Sequence, residues 1–469
     1  MKIKKYGMTL SIIMFIFFSC RKFIQVDTPS QLLTTSNVYA NPNNAESVLA
    51  KAYFNLADIY TQFYSGWGCL GLAMSSDELV PYNPNDNTLM ALYTNEFVTG
   101  NSFVNDTWAS SYQTIYAANS IIENVHQTNF RDSIKNELLG QAHFLRAFCN
   151  FYLVNLFGDI PLVTTTNWQQ SKSLSRSKTP EVYQLILSDL EFASEHLQTN
   201  YNTGKGERIV PNRFAAEALL ARVYLYLENW ERAEAYANDV IKATDFFSLV
   251  APNDIEKPNN KEAIWQLKQF SNGRYYSQVG RVLIPRQKNS NIGPLGYFPS
   301  TFLTSFETGD LRKLNWIDST TITTSGNVFY YPYKFKTNES SALSSYSEYQ
   351  TMLRLAELLL IRSEARLETN QLALAAQDLN MVRKRAGLPN ITFELTKTSL
   401  KEALIKERRF ELFAEWGHRW LDLKRWGIAG SVLKLINEKK WEETDLLFPI
   451  PGSDLLMNPN ITQNPGYNF

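Results

Sequence analysis

The sequence predicts a mainly α-helical fold, in which helical repeats form a base beneath long loops and a few short strands. Three observations lead to this prediction. Apolar residues recur at three-to-four spacing along most of the chain, two segments align with each other without gaps, and one long central stretch is dominated by Pro, Asn, Ser, Gly and Tyr. The 469 residues are 44% hydrophobic and 20% charged, which is ordinary for a folded protein with a large core.

Several segments carry the helical spacing of apolar residues and are expected to be helices. They are Ala45 to Phe63, Asn105 to Val125, Asp132 to Phe157, Pro180 to Leu197, Asn212 to Ala243, Tyr349 to Arg385 and Ser399 to Trp426. We place them in one domain over residues 20–469, with helical repeats within about residues 45–245 and 349–427.

Two stretches break this pattern and predict long loops. Gly66 to Gly100 is rich in turn-forming residues, and an insert at about residues 251–335 shows only short strand-like runs at Ile264 to Leu267 and Phe329 to Phe335. Loops of this length in a compact protein are usually functional or disordered, and their many aromatic residues disfavour disorder. We therefore expect function to reside in these loops.

An internal repeat supports the helical-repeat base. LYLENWERAEAYANDVI, from Leu225, aligns without gaps with LETNQLALAAQDLNMVR, from Leu367, at an offset of 367 minus 225, or 142 residues. Each unit reads as a helix, a short polar turn and a second helix with small residues four positions apart. Small residues let helices approach closely, as they do in tetratricopeptide-like helix pairs.

Residues 1–19 predict an export signal that is not part of the fold. Lysines precede an apolar stretch from Met8 to Phe18, which is shorter than the roughly twenty residues that a membrane-spanning helix needs. The small Ser19 stands before Cys20, and this resembles a bacterial lipobox, in which the cysteine is lipidated and becomes the mature N-terminus. We therefore expect a lipid anchor at Cys20, with a plain signal peptide as the alternative.

The charge balance argues against a nucleic-acid-binding protein. Lys+Arg and Asp+Glu both number 46, so there is no basic excess to follow a phosphate backbone. The four His are scattered and no Cys/His cluster has the spacing of metal ligands, so neither a metal nor another cofactor is expected. Cys69 and Cys149 are expected to remain unpaired, although an exported protein could pair them.

The segment ERRFELFAEWGHRWLDLKRWG, from Glu407 to Gly427, could be an active site or a structural ion-pair network. Its apolar residues cover most of the helical wheel, so its charges should be partly buried and paired. Neighbouring arginines lower the pKa of a carboxyl group, which is wrong for a general acid. We therefore predict a structural network, whose members are Glu407, Arg408, Glu411, Glu415, Arg419, Asp422 and Arg425.

Local spacing predicts how these charges pair. Glu415 with Arg419, Arg408 with Glu411, and Asp422 with Arg425 are three or four residues apart, which brings side chains together on a helix. Gly417 is expected to end or kink the helix that carries them.

Read in order, five segments resemble the SusD/RagB family of Bacteroidetes outer-membrane lipoproteins. They are AHFLRAFCNFYLVNLFGDIPLV, RFAAEALLARVYLYLENWERAEAYANDVI, LRLAELLLIRSEA with LNMVRKRAGL, KERRFELFAEWGHRWLDLKRWG and LLFPIPGSDLLMNPNITQNPGY. The similarity runs from Cys20 to Phe469, and the order of the segments makes it specific.

The resemblance implies a non-enzymatic nutrient-binding protein with a SusD-like fold. Such a protein has tetratricopeptide-like helix pairs under a loop-rich ligand face and is anchored to the outer membrane, facing the cell exterior. It works as a lid on a SusC-like TonB-dependent transporter, to which it hands glycans and, in some members, peptides. After Cys20 comes RKFIQVD, without the acidic cluster that often marks surface export in these bacteria.

A glycan binder needs flat aromatic rings for the apolar faces of sugars and amide or carboxylate groups for the hydroxyl rims. The resemblance points to the loops after SSDE, at Ser75 to Glu78, and to the central insert. The candidates there are Trp67, Tyr82, Asn83, Tyr275, Tyr276 and Tyr297. Other tryptophans, such as Trp108 and Trp168, are expected in the core.

Three alternatives to glycan capture stay open. Peptide capture would favour a charged pocket rim over stacked aromatic rings. A surface glycoside hydrolase would need two carboxylates at one site, and Asp77 with Glu78 is the pair to test. A scaffold without a ligand of its own would be indifferent to alanine at the loop aromatics.

Overall fold

The computed structural model describes residues 35–57, 63–269 and 275–468. The export signal and Cys20 lie outside these residues, so the lipid anchor stays a prediction. In the described part, helices dominate and the strands form two-stranded pairs.

The elements of the first half are mostly long helices. They are α1 (Thr35–Val38), α2 (Pro42–Ala57), a π-helical turn (Phe63–Trp67), α3 (Gly68–Ser75), β1 (Val80–Pro81), α4 (Asn87–Thr94), α5 (Ser102–Val125), α6 (Asp132–Phe157), α7 (Trp168–Ser171), α8 (Thr179–His196), α9 (Arg213–Tyr226) and α10 (Trp230–Ile241).

The second half begins with short elements and returns to helices. They are a 3-10 turn (Pro252–Asp254), β2 (Ala263–Leu267), α11 (Gln278–Leu283), β3 (Gly296–Tyr297), α12 (Ser300–Thr304), α13 (Leu311–Trp316), β4 (Ile317–Thr321), β5 (Val328–Pro332), β6 (Gln350–Arg354), α14 (Leu355–Glu368), α15 (Leu372–Arg385), α16 (Lys397–Leu412), α17 (His418–Arg425), α18 (Ala429–Leu433), a 3-10 turn (Glu443–Leu446) and α19 (Gly452–Met457).

The long helices stack on one another in chain order. α2 packs on α5, α5 on α6, α6 on α8, α8 on α9, α9 on α10, α10 on α14, and α14 on both α15 and α16. Their contact faces are fully buried and form one continuous apolar core. This is the stacking expected of helical repeats, each of which buries its apolar face against the next.

The internal repeat corresponds to two helix pairs, α9 with α10 and α14 with α15. The aligned residues Ala233 and Ala375 are both 0% exposed, and Val240 and Val382 are too. The two units also pack against each other through α10 and α14. The mainly helical repeat fold is therefore confirmed.

The loop regions hold more regular structure than the sequence predicts. Gly66 to Gly100 contains α3 and α4, and the central insert contains α11, α12 and α13. The strands pair in an antiparallel way: β1 with β3, β2 with β6, and β4 with β5. Conversely, the helix expected to begin at Tyr349 begins at Leu355, because residues 350–354 form strand β6 against β2.

The helix expected from Ser399 to Trp426 is interrupted between α16 and α17. Ala414, Trp416 and Gly417 all have positive φ angles, of 51°, 44° and 75°. The break is held by distant groups: the Glu78 carboxyl group accepts from the Ala414 N–H (3.1 Å), and the Cys69 thiol accepts from the Trp416 N–H (3.4 Å). The expected interruption is present, but Gly417 does not end a helix: α16 ends at Leu412, and Gly417 is the N-cap of α17.

All seven residues of the predicted network form ion pairs, although most partners are distant in sequence. Arg408 pairs with Asp422 (Nε to Oδ2, 2.7 Å), and the prediction of an Arg408–Glu411 pair is wrong. Glu415 pairs with Lys334 and with Arg354 (2.8 Å to its Nε), not with Arg419. The Asp422–Arg425 pair is present, at 2.8 Å. The Glu415–Arg419 spacing failed because Glu415 lies in the break between α16 and α17, so the two residues do not share a helical surface. Arg408 and Glu411 do share α16, but each pairs with a residue outside that helix.

Three further features concern the described residues alone. No helix there combines the length and apolar character needed to cross a bilayer. No group of three or more His, Cys, Asp or Glu side chains there could hold a metal ion. Cys69 and Cys149 are buried and unpaired in this part of the chain, as predicted, although Cys69 lies in helix α3 and not in a turn.

Candidate functional site

A cleft of about 790 Å³ opens between the SSDE turn, strand β3 and the segment after α17. Its size falls within the range of small-molecule binding sites. Apolar, aromatic and charged side chains all contribute to it. The lining residues are Ser76, Asp77, Leu79, Val80, Tyr93, Tyr297, Pro299, Ser300, Thr301, Arg409, Arg419, Val432, Leu435, Ile436, Asn437 and Glu438.

We call this cleft the ligand cleft, because it is the place where ligand binding is proposed below. Its floor carries Asp77 between two arginines. Arg419 donates to both carboxylate oxygens, from Nε (2.7 Å) and Nη2 (3.0 Å), and the Arg409 Nη2 lies 2.8 Å from Oδ2. Burial opposes ionisation, but the charges of Arg419 and Arg409 hold the pKa of Asp77 down at about 2. The floor is therefore a fixed array of one anion and two cations, and such charged groups suit the polar groups of a ligand.

Glu78, the next residue, points away from the cleft. It is 2% exposed, and its Oε2 accepts a hydrogen bond from the Ala414 N–H. Burial raises the pKa of Glu78 to about 8, against the opposing effect of that hydrogen bond. Asp77 and Glu78 therefore have separate partners and do not both face one ligand.

One side of the ligand cleft continues into an aromatic rim formed by Tyr82, Tyr297 and Phe329. The Phe329 ring meets both tyrosines edge-on, with centroid distances of 5.0 Å to Tyr82 and 4.9 Å to Tyr297. Pairing of β1 with β3 sets this arrangement, because Val80 lies opposite Tyr297. Both tyrosines are half-buried, so part of each ring stays open to solvent.

The opposite wall carries Glu438, which acts on two tyrosines across the cleft. Burial, with the Glu438 charge beside it, raises the pKa of Tyr93 to about 12, and the same causes raise the pKa of Tyr297. Both phenols therefore stay protonated at neutral pH and can donate hydrogen bonds to a ligand.

The six predicted ligand residues fall into two groups. Tyr82, Asn83 and Tyr297 lie near the ligand cleft, although Tyr297 alone of the six lines it, and Asn83 is exposed in the turn after β1. The other three are Trp67, Tyr275 and Tyr276, which flank the contact of helix α11 with the π-helical turn.

The prediction that Tyr276 is an exposed ligand residue is wrong, because it is only 7% exposed. Tyr275 is half-buried and packs edge-on against Tyr346, with ring centroids 5.2 Å apart. Trp67 is half-buried and packs against the core, although it lies between two glycines. Trp168, which was expected in the core, is 64% exposed.

Sequence reasoning missed Tyr93, Arg409 and Glu438 as cleft residues and assigned Arg419 to the structural network alone. Tyr93 was hidden because its segment reads as loop, whereas it forms the last turn of helix α4. Arg409 had no predicted local partner, although its segment was expected to be buried. A buried arginine needs a counter-charge, so the sequence did indicate that Arg409 pairs with a carboxylate from a distant part of the chain.

Two family models match the chain. The one described as "Starch-binding associating with outer membrane" matches residues 22–225, and the one described as "SusD family" matches residues 272–442.

Curated relatives match over nearly the whole chain. SusD-like protein P25 of Formosa agariphila is 26% identical, over 98% of this chain and 98% of its own. SusD-like protein P2 of the same organism is 27% identical, over 99% of this chain and 100% of its own.

Solved structures share the fold. A SusD superfamily protein from Bacteroides vulgatus has a TM-score of 0.79 and 22% identity, over 92% of this chain and 100% of that chain. The surface glycan-binding protein A from Bacteroides fluxus has a TM-score of 0.77 and 23% identity, over 91% and 100%. A laminarin-binding SusD-like protein has a TM-score of 0.76 and 22% identity, over 92% and 100%. Because the two family models together match residues 22–225 and 272–442, which is most of its length, the chain belongs to the SusD/RagB family.

Proposed function

We propose that this protein is a non-enzymatic, cell-surface lipoprotein that captures glycans in the ligand cleft and delivers them to a SusC-like TonB-dependent transporter of the outer membrane. The observation that carries the proposal is the pairing of aromatic and hydrogen-bonding groups in one cleft. Tyr297 and its rim partners offer ring edges and faces for the C–H surfaces of a sugar. Asp77 with its two arginines offers a fixed hydrogen-bonding array for hydroxyl groups.

Family membership supports the same reading. Two structural neighbours are named for glycan or laminarin binding, and one matching family model is described as starch-binding. We extend that activity to this chain because its ligand cleft has the size and the mixed apolar and polar lining that an oligosaccharide requires.

The test is a glycan array that includes laminarin and starch, probed with the full-length protein in detergent. Tyr297→Ala is compared with Tyr116→Ala, because Tyr116 is 56% exposed and is not among the cleft residues. We expect one glycan class to bind, with about tenfold weaker affinity for Tyr297→Ala and none lost for Tyr116→Ala, since a lost ring contact and its buried area are together worth about 1.4 kcal/mol. Equal affinities of the two variants would place the glycan site elsewhere.

The charged floor favours a second candidate, the capture of peptides. Asp77, Arg409, Arg419 and Glu438 all line the cleft, and such groups also suit peptide termini and charged side chains. A peptide library screened in parallel separates the candidates. Binding of peptides and of no glycan would replace the leading proposal. A scaffold without a ligand of its own would bind neither glycans nor peptides, in the native form or as Tyr297→Ala.

The hydrolase alternative is disfavoured by the geometry of its two carboxylates. Asp77 is held by arginines, and Glu78 is buried against the Ala414 N–H. Detectable turnover of the bound glycan that disappears in the Asp77→Asn, Glu78→Gln double variant would overturn the non-enzymatic proposal.

The lipid anchor and the transporter partner are proposed from Cys20 and from the family. Labelling of cells with an alkyne analogue of palmitate should mark the native chain and not Cys20→Ala.

Protease added to intact cells should degrade the native chain if it faces the exterior. Mild-detergent extracts should contain it together with a TonB-dependent transporter, and purification of the chain alone would contradict that partnership.

A further inference from the structure

Lys439 directly follows Glu438, which is the last residue of the wall segment that runs from Val432 to Glu438 along the ligand cleft. It is 7% exposed, so its ammonium group is withdrawn from solvent. Its Nζ, which carries three N–H donors, lies within hydrogen-bond distance of four oxygens that belong to two other segments. They are the carbonyl oxygens of Met74 (2.9 Å), Ser75 (3.2 Å) and Tyr93, and the side-chain oxygen of Asn95 (3.1 Å).

These acceptors are the carboxyl ends of two helices. Met74 and Ser75 close helix α3, and Tyr93 lies in the last turn of α4, which Asn95 ends with a φ of 62°. The last carbonyl groups of a helix have no partner within it and carry partial negative charge, so an ammonium group stabilises them. Lys439 does this for both helix ends with one charge.

Two further hydrogen bonds strengthen the connection between the wall segment and the carboxyl ends of α3 and α4, which we call the junction. Asn95 donates from Nδ2 to the Ser75 carbonyl (3.0 Å), which joins the two helix ends directly. The backbone N–H of Lys440 donates to the Thr94 carbonyl (2.8 Å). The wall segment is thus attached to the helix ends through consecutive residues.

The junction sets the shape of the ligand cleft because each joined segment supplies a lining residue next to it. Helix α3 leads directly into Ser76 and Asp77, helix α4 carries Tyr93, and Glu438 precedes Lys439. A shift of the wall would therefore move Glu438 relative to Tyr93 and Asp77 together.

We propose that Lys439 is a positioning residue of the ligand cleft: its ammonium group, caged by the carboxyl ends of α3 and α4, fixes the wall that carries Glu438 against the floor that carries Asp77 and Tyr93. This inference rests on the ligand cleft of the proposed function, but the position of the wall can be measured without any ligand. The side chain acts through the cleft residues and does not itself line the cleft.

The test is hydrogen exchange of the full-length protein in detergent, followed over residues 74–95 and 432–441. Burial lowers the pKa of Lys439 to about 7, against the attraction of Asp77 and Asp445, so exchange is measured at pH 6, where the ammonium form prevails. Lys439→Met keeps the length of the side chain and removes its charge. Lys440→Met is the matched control, because Lys440 is an exposed neighbour paired with Glu96 at 2.8 Å.

We expect Lys439→Met to reduce protection of both segments about tenfold, and Lys440→Met to leave it unchanged. Lys439→Arg, which keeps the charge and the donors, should retain most of the protection. If Lys439→Met does not fold, Lys439→Gln, which keeps two N–H donors without the charge, takes its place and should fall between the native protein and full loss. Equal exchange in the Lys439→Met and Lys440→Met variants would overturn the proposal, as would equal losses in Lys439→Met and Lys439→Arg.

Laminarin is the probe for the functional consequence. Its affinity should fall about tenfold in Lys439→Met, remain near the native value in Lys439→Arg, and be unaffected in Lys440→Met. A native protein that binds no glycan contradicts the proposed function, while the exchange data still decide the role of Lys439. If Lys439→Met loses hydrogen-exchange protection in the wall segment but keeps its laminarin affinity, the link between Lys439 and the ligand cleft is overturned.

Discussion

Arg419 forms its ion pair with Asp77, 342 residues earlier in the chain, and not with Glu415, four residues before it. Both nitrogens facing the carboxylate are engaged, at 2.7 Å and 3.0 Å. The charged segment from Glu407 to Gly427 is therefore structural, since its arginines neutralise buried carboxylates. Two of these arginines, Arg409 and Arg419, also hold the floor of the cleft in which we propose that a ligand binds.

Asp77→Asn should destabilise the protein strongly at neutral pH. The change leaves the buried guanidinium groups of Arg419 and Arg409 without their counter-charge, and the loss of one partner of a buried pair costs about 3–5 kcal/mol in the free energy of unfolding. The pKa of Asp77 is about 2 in the fold, below its ordinary value, so its contribution is present above pH ~3.8 and is lost as the pH falls through 2.

Urea unfolding of Asp77→Asn at pH 7 and at pH 2–3 checks both points. Glu96→Gln is the matched carboxyl-to-amide control, because Glu96 pairs with Lys440 at the surface and should contribute at most about 1 kcal/mol. Similar losses of unfolding free energy in Asp77→Asn and Glu96→Gln would mean that the buried Asp77 ion pairs stabilise the protein no more than a surface ion pair does.

Glu78→Gln should change how stability depends on pH. The pKa of Glu78 is raised to about 8 in the fold, so between pH ~4.5 and 8 the carboxyl is neutral when folded and ionised when unfolded. The native protein therefore loses stability as the pH rises through this window, by at most about 1.4 kcal/mol per pH unit. Gln cannot titrate, so the free energy of unfolding of Glu78→Gln should rise steadily relative to that of the native protein as the pH increases. Unfolding curves at pH 4.5, 6 and 8 measure this, and a constant difference would refute it.

Gly417→Ala should cost more than an ordinary glycine substitution. Gly417 has a φ of 75°, and an added Cβ would lie 2.1 Å from Leu72 Cδ1. The left-handed conformation costs about 1–2 kcal/mol and overpacking about 1–3 kcal/mol more. Gly427 is the matched control, because its φ is 65° and its added Cβ would meet nothing within 4 Å. Thermal unfolding of both alanine variants separates the two costs, and equal losses would show that the Leu72 side chain moves aside freely.

Cys69 and Cys149 should not react with thiol reagents in the native protein. They are 1% and 0% exposed, and burial raises the pKa of both thiols, to about 12 for Cys149. A Cys20→Ala variant leaves these two as the only thiols of the chain. Titration with a chromogenic disulfide should detect none in buffer and two in urea. A rapid thiol in buffer would contradict the buried positions, and fewer than two in urea would indicate a disulfide.

The helical scaffold was predictable because its signals are local. Apolar spacing along residues 132–157 places a helix almost to the residue, and the small residues Ala233 and Ala375 mark equivalent contacts in two repeats. Such patterns follow from the 3.6-residue period of one helix and need no knowledge of the neighbours.

The ligand cleft was predictable only in part. Tyr297 was found through its loop and the family resemblance, and Tyr82 joins it at the aromatic rim. Tyr276 and Trp168 were assigned the wrong exposure, because an aromatic residue in a loop or a short turn packs inward or outward according to what covers it. Tyr93 and Glu438 could not be connected, since they meet across segments that are hundreds of residues apart.

Composition and periodicity were sufficient for the helical repeats and for the burial of the charged segment, and the resemblance of five segments indicated the family. The choice of partners was settled by folding. The packing of segments decides whether Arg419 pairs with Glu415 or with Asp77. It also decides whether Lys439 caps the end of one helix or of two. Hydrogen bonds and ion pairs act over about 3–4 Å, so that choice belongs to three-dimensional contact and not to spacing along the chain.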